Sequence, residues 1–129
     1  MSEIKVDTLT GKTTANDITV TVGATATMSL EQGLAKAWCF YEGDGIVSLL
    51  DSLNHASISD LGTGRYSVTY TNSFSSVYYA GNVTGSTNRS GTNDSDSNTT
   101  SGITHEFFHT TSTKADTFQA YCSTHGDLA

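Results

Sequence analysis

Asp17-Ile18-Thr19-Val20-Thr21-Val22-Gly23-Ala24-Thr25-Ala26-Thr27-Met28-Ser29-Leu30 is the stretch that decides the fold class. Ile18, Val20, Val22, Ala24, Ala26, Met28 and Leu30 alternate without a miss against small or polar residues. A period of two puts all the apolar side chains on one face of a β-strand, whereas a helix needs a period of 3.6. At about 3.3 Å per residue the stretch would span roughly 46 Å as one straight strand, longer than strands usually run. The expectation is therefore either a bend at Gly23 or an extended arm. With the shorter alternation at Ile4 and Val6, residues 1–33 read as an N-terminal β arm serving oligomerisation or attachment. That segment contains no aromatic residue, and all twelve aromatics follow it. The thick core is accordingly assigned to residues 34–129, read as one β-sandwich domain.

Outward from the arm, the same period recurs. Tyr66, Val68 and Tyr70 alternate with Ser67 and Thr69, and Phe118, Ala120 and Cys122 repeat the pattern near the end of the chain. Further strands are expected at 35–42, 46–50, 53–59, 77–84 and 103–110. Gly43-Asp44-Gly45 and Gly62-Thr63-Gly64 supply residues that tolerate positive φ and mark hairpin turns. Short strands joined by such turns predict an all-β protein, an antiparallel β-sandwich or jelly roll with an extended N-terminal β arm. Trp38 and Phe40 fall on one face of their strand and Cys39 and Tyr41 on the other, so this strand is apolar on both sides. Its outer face is expected to be covered by another subunit.

Composition supports this class and narrows the functions. Thr and Ser make up 39 of the 129 residues, and Asn and Gly add 19 more, which suits solvated turns between strands. Charged residues are only 15%, below what a disordered chain carries. Six Lys and Arg against thirteen Asp and Glu give a net charge of −7. Phosphate binding requires clustered cations, so nucleic acid is excluded as the expected partner. The longest apolar run, Ala37-Trp38-Cys39-Phe40-Tyr41, falls far short of a membrane span of about 20 residues. The first residues alternate in charge and lack the apolar stretch of a secretion signal, and a soluble protein without membrane contact is expected. Cys39 and Cys122 are then expected to stay reduced, being too few for a disulfide framework.

Gly85 to Gly102 stands apart, because its eighteen residues include no apolar side chain. It reads as a long exposed loop, and loops of this length are usually functional or disordered. Asn88, Arg89, Asn93, Asp94 and Asp96 offer donors and acceptors suited to hydroxyl-rich ligands or a wet protein interface, and they form the candidate contact surface.

Two strings imitate metal sites. His105-Glu106-Phe107-Phe108-His109 fits the H-E-x-x-H zinc-protease pattern, which requires a helix so that both imidazoles share a face with Glu nearby. Its flanks, Ile103-Thr104 and Thr110-Thr111-Ser112-Thr113, favour a strand. There the two His lie roughly 13 Å apart and Glu106 points the other way. Asp94-Ser95-Asp96-Ser97-Asn98 resembles the start of a calcium loop, but Thr99 stands where the turn needs Gly and His105 where the bidentate Glu belongs. No G-x-S-x-G elbow or P-loop occurs. The residues thus point to no enzyme, no catalytic residue, no cofactor and no metal. The N-x-Ser/Thr strings at Asn82, Asn88, Asn93 and Asn98 follow from composition.

Several stretches resemble a small domain encoded by marine tailed phages. They are Met1 to Gly11, Leu34-Ala35-Lys36-Ala37-Trp38, Gly43-Asp44-Gly45, Asp51-Ser52-Leu53-Asn54 and Ser57 to Gly64, then Tyr66-Ser67-Val68, Thr71-Asn72-Ser73-Phe74 and His125-Gly126-Asp127-Leu128-Ala129. The likeness covers most of the chain outside 85–102. Arg65 departs from it, standing where an acidic residue is usual. The resemblance implies a tail-fibre or other virion structural protein, located in the virion and assembled in the host cytoplasm. A chain this short has little room for a long shaft, so a compact fibre, a capsid decoration or a tail appendage is as much to be expected as a long fibre. The expected partners are further copies of the chain, with a trimer favoured by the apolar arm, then other virion proteins and a host-surface glycan. The alternative is a small carbohydrate-binding module, for which exposed coplanar aromatics would be the mark.

Overall fold

Residues 18–34 fold back on themselves. In the computed structural model, which describes residues 3–12, 18–22, 24–86, 88–109 and 112–129, strand β1 (Thr19–Val22) pairs antiparallel with β2 (Ala26–Ser29). One helical turn follows, α1 (Leu30–Gly33). Of the two expectations for Asp17 to Leu30, a bend or an extended arm, the extended arm is corrected: Thr19–Val22 and Ala26–Ser29 pair as a hairpin, with Val20 opposite Met28. The alternation is common to both arrangements, because a hairpin turn reverses the chain and leaves each strand's period intact. Asp17 and Gly23 lie outside the described residues. Met1–Leu34 forms one unit and Ala35–Ala129 a second.

The second unit is an all-β sandwich. Its strands are β3 (Ala37–Glu42), β4 (Ser48–Leu53), β5 (His55–Asp60), β6 (Arg65–Tyr70), β7 (Ala80–Gly85), β8 (Arg89–Asn93), β9 (Gly102–His109) and β10 (Gln119–His125). They form two four-stranded antiparallel sheets, ordered β4-β3-β10-β7 and β5-β6-β9-β8. Both predicted glycine turns close hairpins, β3 to β4 and β5 to β6. In the second, Gly64 has φ +67°, and a Cβ there would meet the Phe107 carbonyl oxygen at 2.6 Å and the Ala115 nitrogen at 2.7 Å. Glycine alone fits both the conformation and the close approach.

Alternation builds the core between the sheets. Ala37, Cys39 and Tyr41 of β3 and Ala120, Cys122 and Thr124 of β10 point inward from one sheet. Tyr66, Val68 and Tyr70 of β6 meet them from the other, with Ile103, His105 and Phe107 of β9. Tyr70, Phe74 and Tyr79 form a cluster of ring pairs with centroids 4.8–5.8 Å apart at one end.

Two bulges re-aim side chains. In β4, Leu50 is skipped between the pairs Phe40–Asp51 and Tyr41–Leu49. In β5, Ala56 is skipped between His55–Tyr70 and Ser57–Thr69. An extra residue shifts the parity of everything beyond it. Ile58 would otherwise share its face with Ala56; the bulge turns His55 inward instead, leaving it buried beside Tyr70.

The expected loop at 85–102 is corrected by β8, the outer strand of its sheet, which pairs with β9 from Arg89–His109 to Asn93–His105. A 3-10 turn, Ser95–Ser97, follows it. The segment needs no apolar side chain of its own, because ladder bonds are made by the backbone and its glycines let a neighbour's ring in. A Cβ at Gly85 would lie 2.8 Å from the Phe107 ring, and one at Gly91 2.9 Å from it. Thr87 lies outside the described residues, as do Thr110 and Thr111 at the expected end of β9.

Candidate functional site

The five polar residues singled out at 88–96 separate into two kinds. Asn88 and Asp96 are exposed, Asn88 with φ +62° in the turn before β8. The other three are engaged within the domain. The Arg89 Nε donates to the Asp116 carbonyl oxygen at 2.7 Å, and the Asn93 amide donates to the Gly81 carbonyl oxygen. Asp94 sits 2.6 Å from the Arg65 guanidinium, which also lies 3.3 Å from Glu106, itself 2.6 Å from Lys114 Nζ. The Ser97 hydroxyl donates to Asp94 at 2.8 Å. This hydroxyl and the guanidinium hold the Asp94 carboxyl below its ordinary range. The network explains Arg65, which anchors the segment after β8 to β6 and β9.

The H-E-x-x-H string lies on strand β9, as its flanks predict. His105 is fully buried, whereas Glu106 and His109 are partly exposed. Two residues of one strand four positions apart cannot close on a single ion in the way of a helical pair.

The outer face of sheet β4-β3-β10-β7 carries an aromatic patch. Trp38 is opposite Leu53 of β4 and Ser123 of β10; Phe40 is opposite Tyr121. Trp38, Leu53 and Tyr121 are exposed, at 37%, 47% and 54%. The Phe40 and Tyr121 rings are stacked, centroids 4.6 Å apart and planes within 7°. Each ring therefore covers one face of the other, and the two do not lie side by side in one plane.

A second constellation, which sequence reasoning missed, lies inside the sandwich. Cys39 and Cys122 are paired across β3 and β10, with their sulfurs 3.0 Å apart and both side chains buried. His55 Nε2 approaches the Cys122 sulfur to 3.8 Å from the opposite sheet. The donor atoms of Cys39, His55 and Cys122 all lie within 4.8 Å of one another. His105 is a further neighbour of the Cys122 thiol. Its Nδ1 is 2.9 Å from the Tyr41 hydroxyl, across the sheets, with the two rings within 10° of parallel. His105 Nε2 and His55 Nδ1 are buried without a hydrogen-bond partner among the described residues.

The environment moves these groups apart in acidity. The Cys39 thiol, donating to its partner, and the two imidazoles hold Cys122 below the ordinary thiol range against the cost of burial. That shared bond and burial push Cys39 up. Burial pushes Tyr41 and Tyr70 up as well, so both stay protonated. The available signal was parity, since Cys39 and Cys122 both fall on the inward faces of recognisable strands. His55 gave none, because its orientation depends on the bulge.

Comparison with protein-family models, with curated proteins and with solved structures finds no match to this chain. Among the described residues no helix is long and apolar enough to cross a membrane.

Proposed function

We propose that this chain is a structural subunit of a bacteriophage particle, a compact fibre, decoration or tail-appendage protein that works as a homo-oligomer, with a trimer favoured. The observation that carries the reading is the aromatic patch formed by Trp38, Phe40, Leu53 and Tyr121. A sheet face of this kind resembles the core of an interface more than an ordinary protein surface, where aromatic residues are sparse. The occupant argued for is a second copy of the chain. Exposed Ile4, Val6, Leu9 and Met28 in the N-terminal unit add apolar surface of the sort that assembly buries. The resemblance to phage virion domains, which extends over most of the sequence, supplies the particle. Of the five candidate contact residues, Asn88 and Asp96 are the exposed ones, open to a host glycan or a neighbouring virion protein.

The sugar-binding alternative loses support from the same patch. A flat sugar needs an open ring face, and Phe40 and Tyr121 spend one on each other.

Trp38 is the sole tryptophan, so its fluorescence reports on the patch directly. Emission is expected to shift to the blue as concentration rises, in step with light scattering reporting an oligomer. Trp38→Asp combined with Tyr121→Asp should give a monomer that keeps the parent's circular dichroism. Antibody against the chain should label intact particles. A parent protein that stays monomeric at every concentration, or particles that do not label, would overturn the reading. Glycan-array binding lost in Tyr121→Ala would favour the sugar module instead.

A further inference from the structure

The interior of the sandwich holds a constellation that the proposed assembly role does not use. Two thiols and one imidazole converge there, each from a different strand, Cys39 of β3, Cys122 of β10 and His55 of β5, with donor atoms all within 4.8 Å of one another, and the buried His105 of β9 is a further neighbour of the Cys122 thiol. We propose that these four side chains form a closed tetrahedral site for a divalent metal ion of the zinc class, which pins the two sheets of the sandwich together. The role is structural, since four protein ligands would leave no open position for a substrate.

Size is the first argument. Zinc bonds of about 2.3 Å to sulfur and 2.0–2.1 Å to nitrogen, at tetrahedral angles, set two sulfurs about 3.8 Å apart and a sulfur and a nitrogen about 3.6 Å apart. The sulfurs stand at 3.0 Å and the Cys122 sulfur and His55 Nε2 at 3.8 Å. The three donor atoms of Cys39, His55 and Cys122 span no more than 4.8 Å, so the site needs the two thiols to part and the widest pair to close, each by up to about an ångström, with His105 swinging in as the fourth ligand.

His105 supplies the second argument. Its Nε2 is buried and has no hydrogen-bond partner among the described residues, an arrangement that folded proteins rarely tolerate without a ligand. Its other nitrogen is held by the Tyr41 hydroxyl at 2.9 Å. With Nδ1–H donating to that oxygen, the Nε2 lone pair is left for a metal. An outer hydrogen bond that fixes the tautomer and orients the ring is a regular feature of metal-binding histidines.

The donor set is the third. Two thiolates and two imidazoles match a borderline-soft ion and discriminate against magnesium and calcium, which take oxygen. The competing use of the cysteines is a disulfide. It would join two strands that are already hydrogen-bonded neighbours, and it would leave the buried His105 Nε2 still without a partner among the described residues. One cation serves all four groups and links both sheets.

The test uses the full chain purified with zinc and a thiol reductant. One equivalent of zinc per chain is expected by elemental analysis. Replacement by cobalt(II) should give intense tetrahedral ligand-field bands and a thiolate-to-cobalt charge-transfer band, while magnesium gives no change. Zinc should raise the melting temperature, and His105→Ala should weaken metal binding by at least tenfold. Cys39→Ser should abolish the charge-transfer intensity from one sulfur. The spectra of the unmodified protein keep the test decisive if either variant fails to fold. A folded parent that retains no zinc and develops no cobalt bands overturns the proposal. So does an intact mass two hydrogens low after reductant treatment, which indicates a disulfide, or cobalt bound without a charge-transfer band, which indicates surface histidines. Undiminished zinc and an unchanged cobalt spectrum in His105→Ala would overturn the four-ligand assignment.

Discussion

Gly91→Val tests whether the polar segment after β7 is docked as a strand. Position 91 is the middle of β8, directly opposite Phe107. A Cβ there would stand 2.9 Å from Phe107 Cε1 and 3.1 Å from both Val83 Cγ1 and the Val83 carbonyl oxygen. Phe107 is fully buried and packs edge-on against Tyr66 at 5.8 Å, so its ring has little room to yield. The backbone oxygen has less. Forcing extra methyl groups into such a site costs about 3 kcal/mol, at the upper end for overpacking. Replacing a glycine in a strand returns about 0.5–1 kcal/mol of chain entropy. The net loss is about 2 kcal/mol, which at about 4–8 °C per kcal/mol for a domain near 100 residues lowers the melting temperature by about 8–16 °C. Differential scanning calorimetry measures it, with Thr92→Val, an exposed neighbour on the same strand, expected to change little. In a Phe107→Ala background the valine should cost much less, because the vacated ring space accepts it. A Gly91→Val protein melting within about 2 °C of the parent would refute the docking of β8 on Phe107.

Other perturbations probe separate parts of the account. The Tyr66 hydroxyl donates to the Gly43 carbonyl oxygen at 2.5 Å, with Asp116 Oδ1 3.1 Å away, so Tyr66→Phe should lower stability by about 1–2 kcal/mol, read as a shifted urea midpoint at unchanged slope. The Asp94 carboxyl, held low by Ser97 and Arg65, contributes stability above its unfolded value of about 3.9 and loses it as pH falls through the lower folded value. The melting temperature of the parent should therefore drop more steeply below about pH 4 than that of Asp94→Asn, and parallel curves would remove the pairing with Arg65 from the account.

How far the sequence carries the reader depends on whether a feature is set by parity or by pairing. Parity is local. Trp38 and Phe40 outside, Cys39 and Tyr41 inside, follows from one strand's alternation, and so do the inward Tyr66, Val68 and Tyr70. The glycine turns are local as well, since Gly62 and Gly64 take positive φ between adjacent strands. Pairing is not local. The hairpin at 19–29 and a straight arm share one alternation, and only the register of Val20 with Met28 separates them. Strand β8 has no apolar residue to announce it, because its contribution to the core is the space left by Gly91 for a ring that arrives from β9. The buried constellation requires the most. Cys39 meets Cys122 only because the first and last strands of the sandwich are neighbours, 83 residues apart in the chain, and His55 faces them only because β5 carries an extra residue. A bulge leaves no mark in a period-two pattern except a break, which in a Ser- and Thr-rich strand is indistinguishable from an ordinary polar position. The features with chemical potential are those that join distant strands, and for that reason they become legible only once the two sheets are assembled.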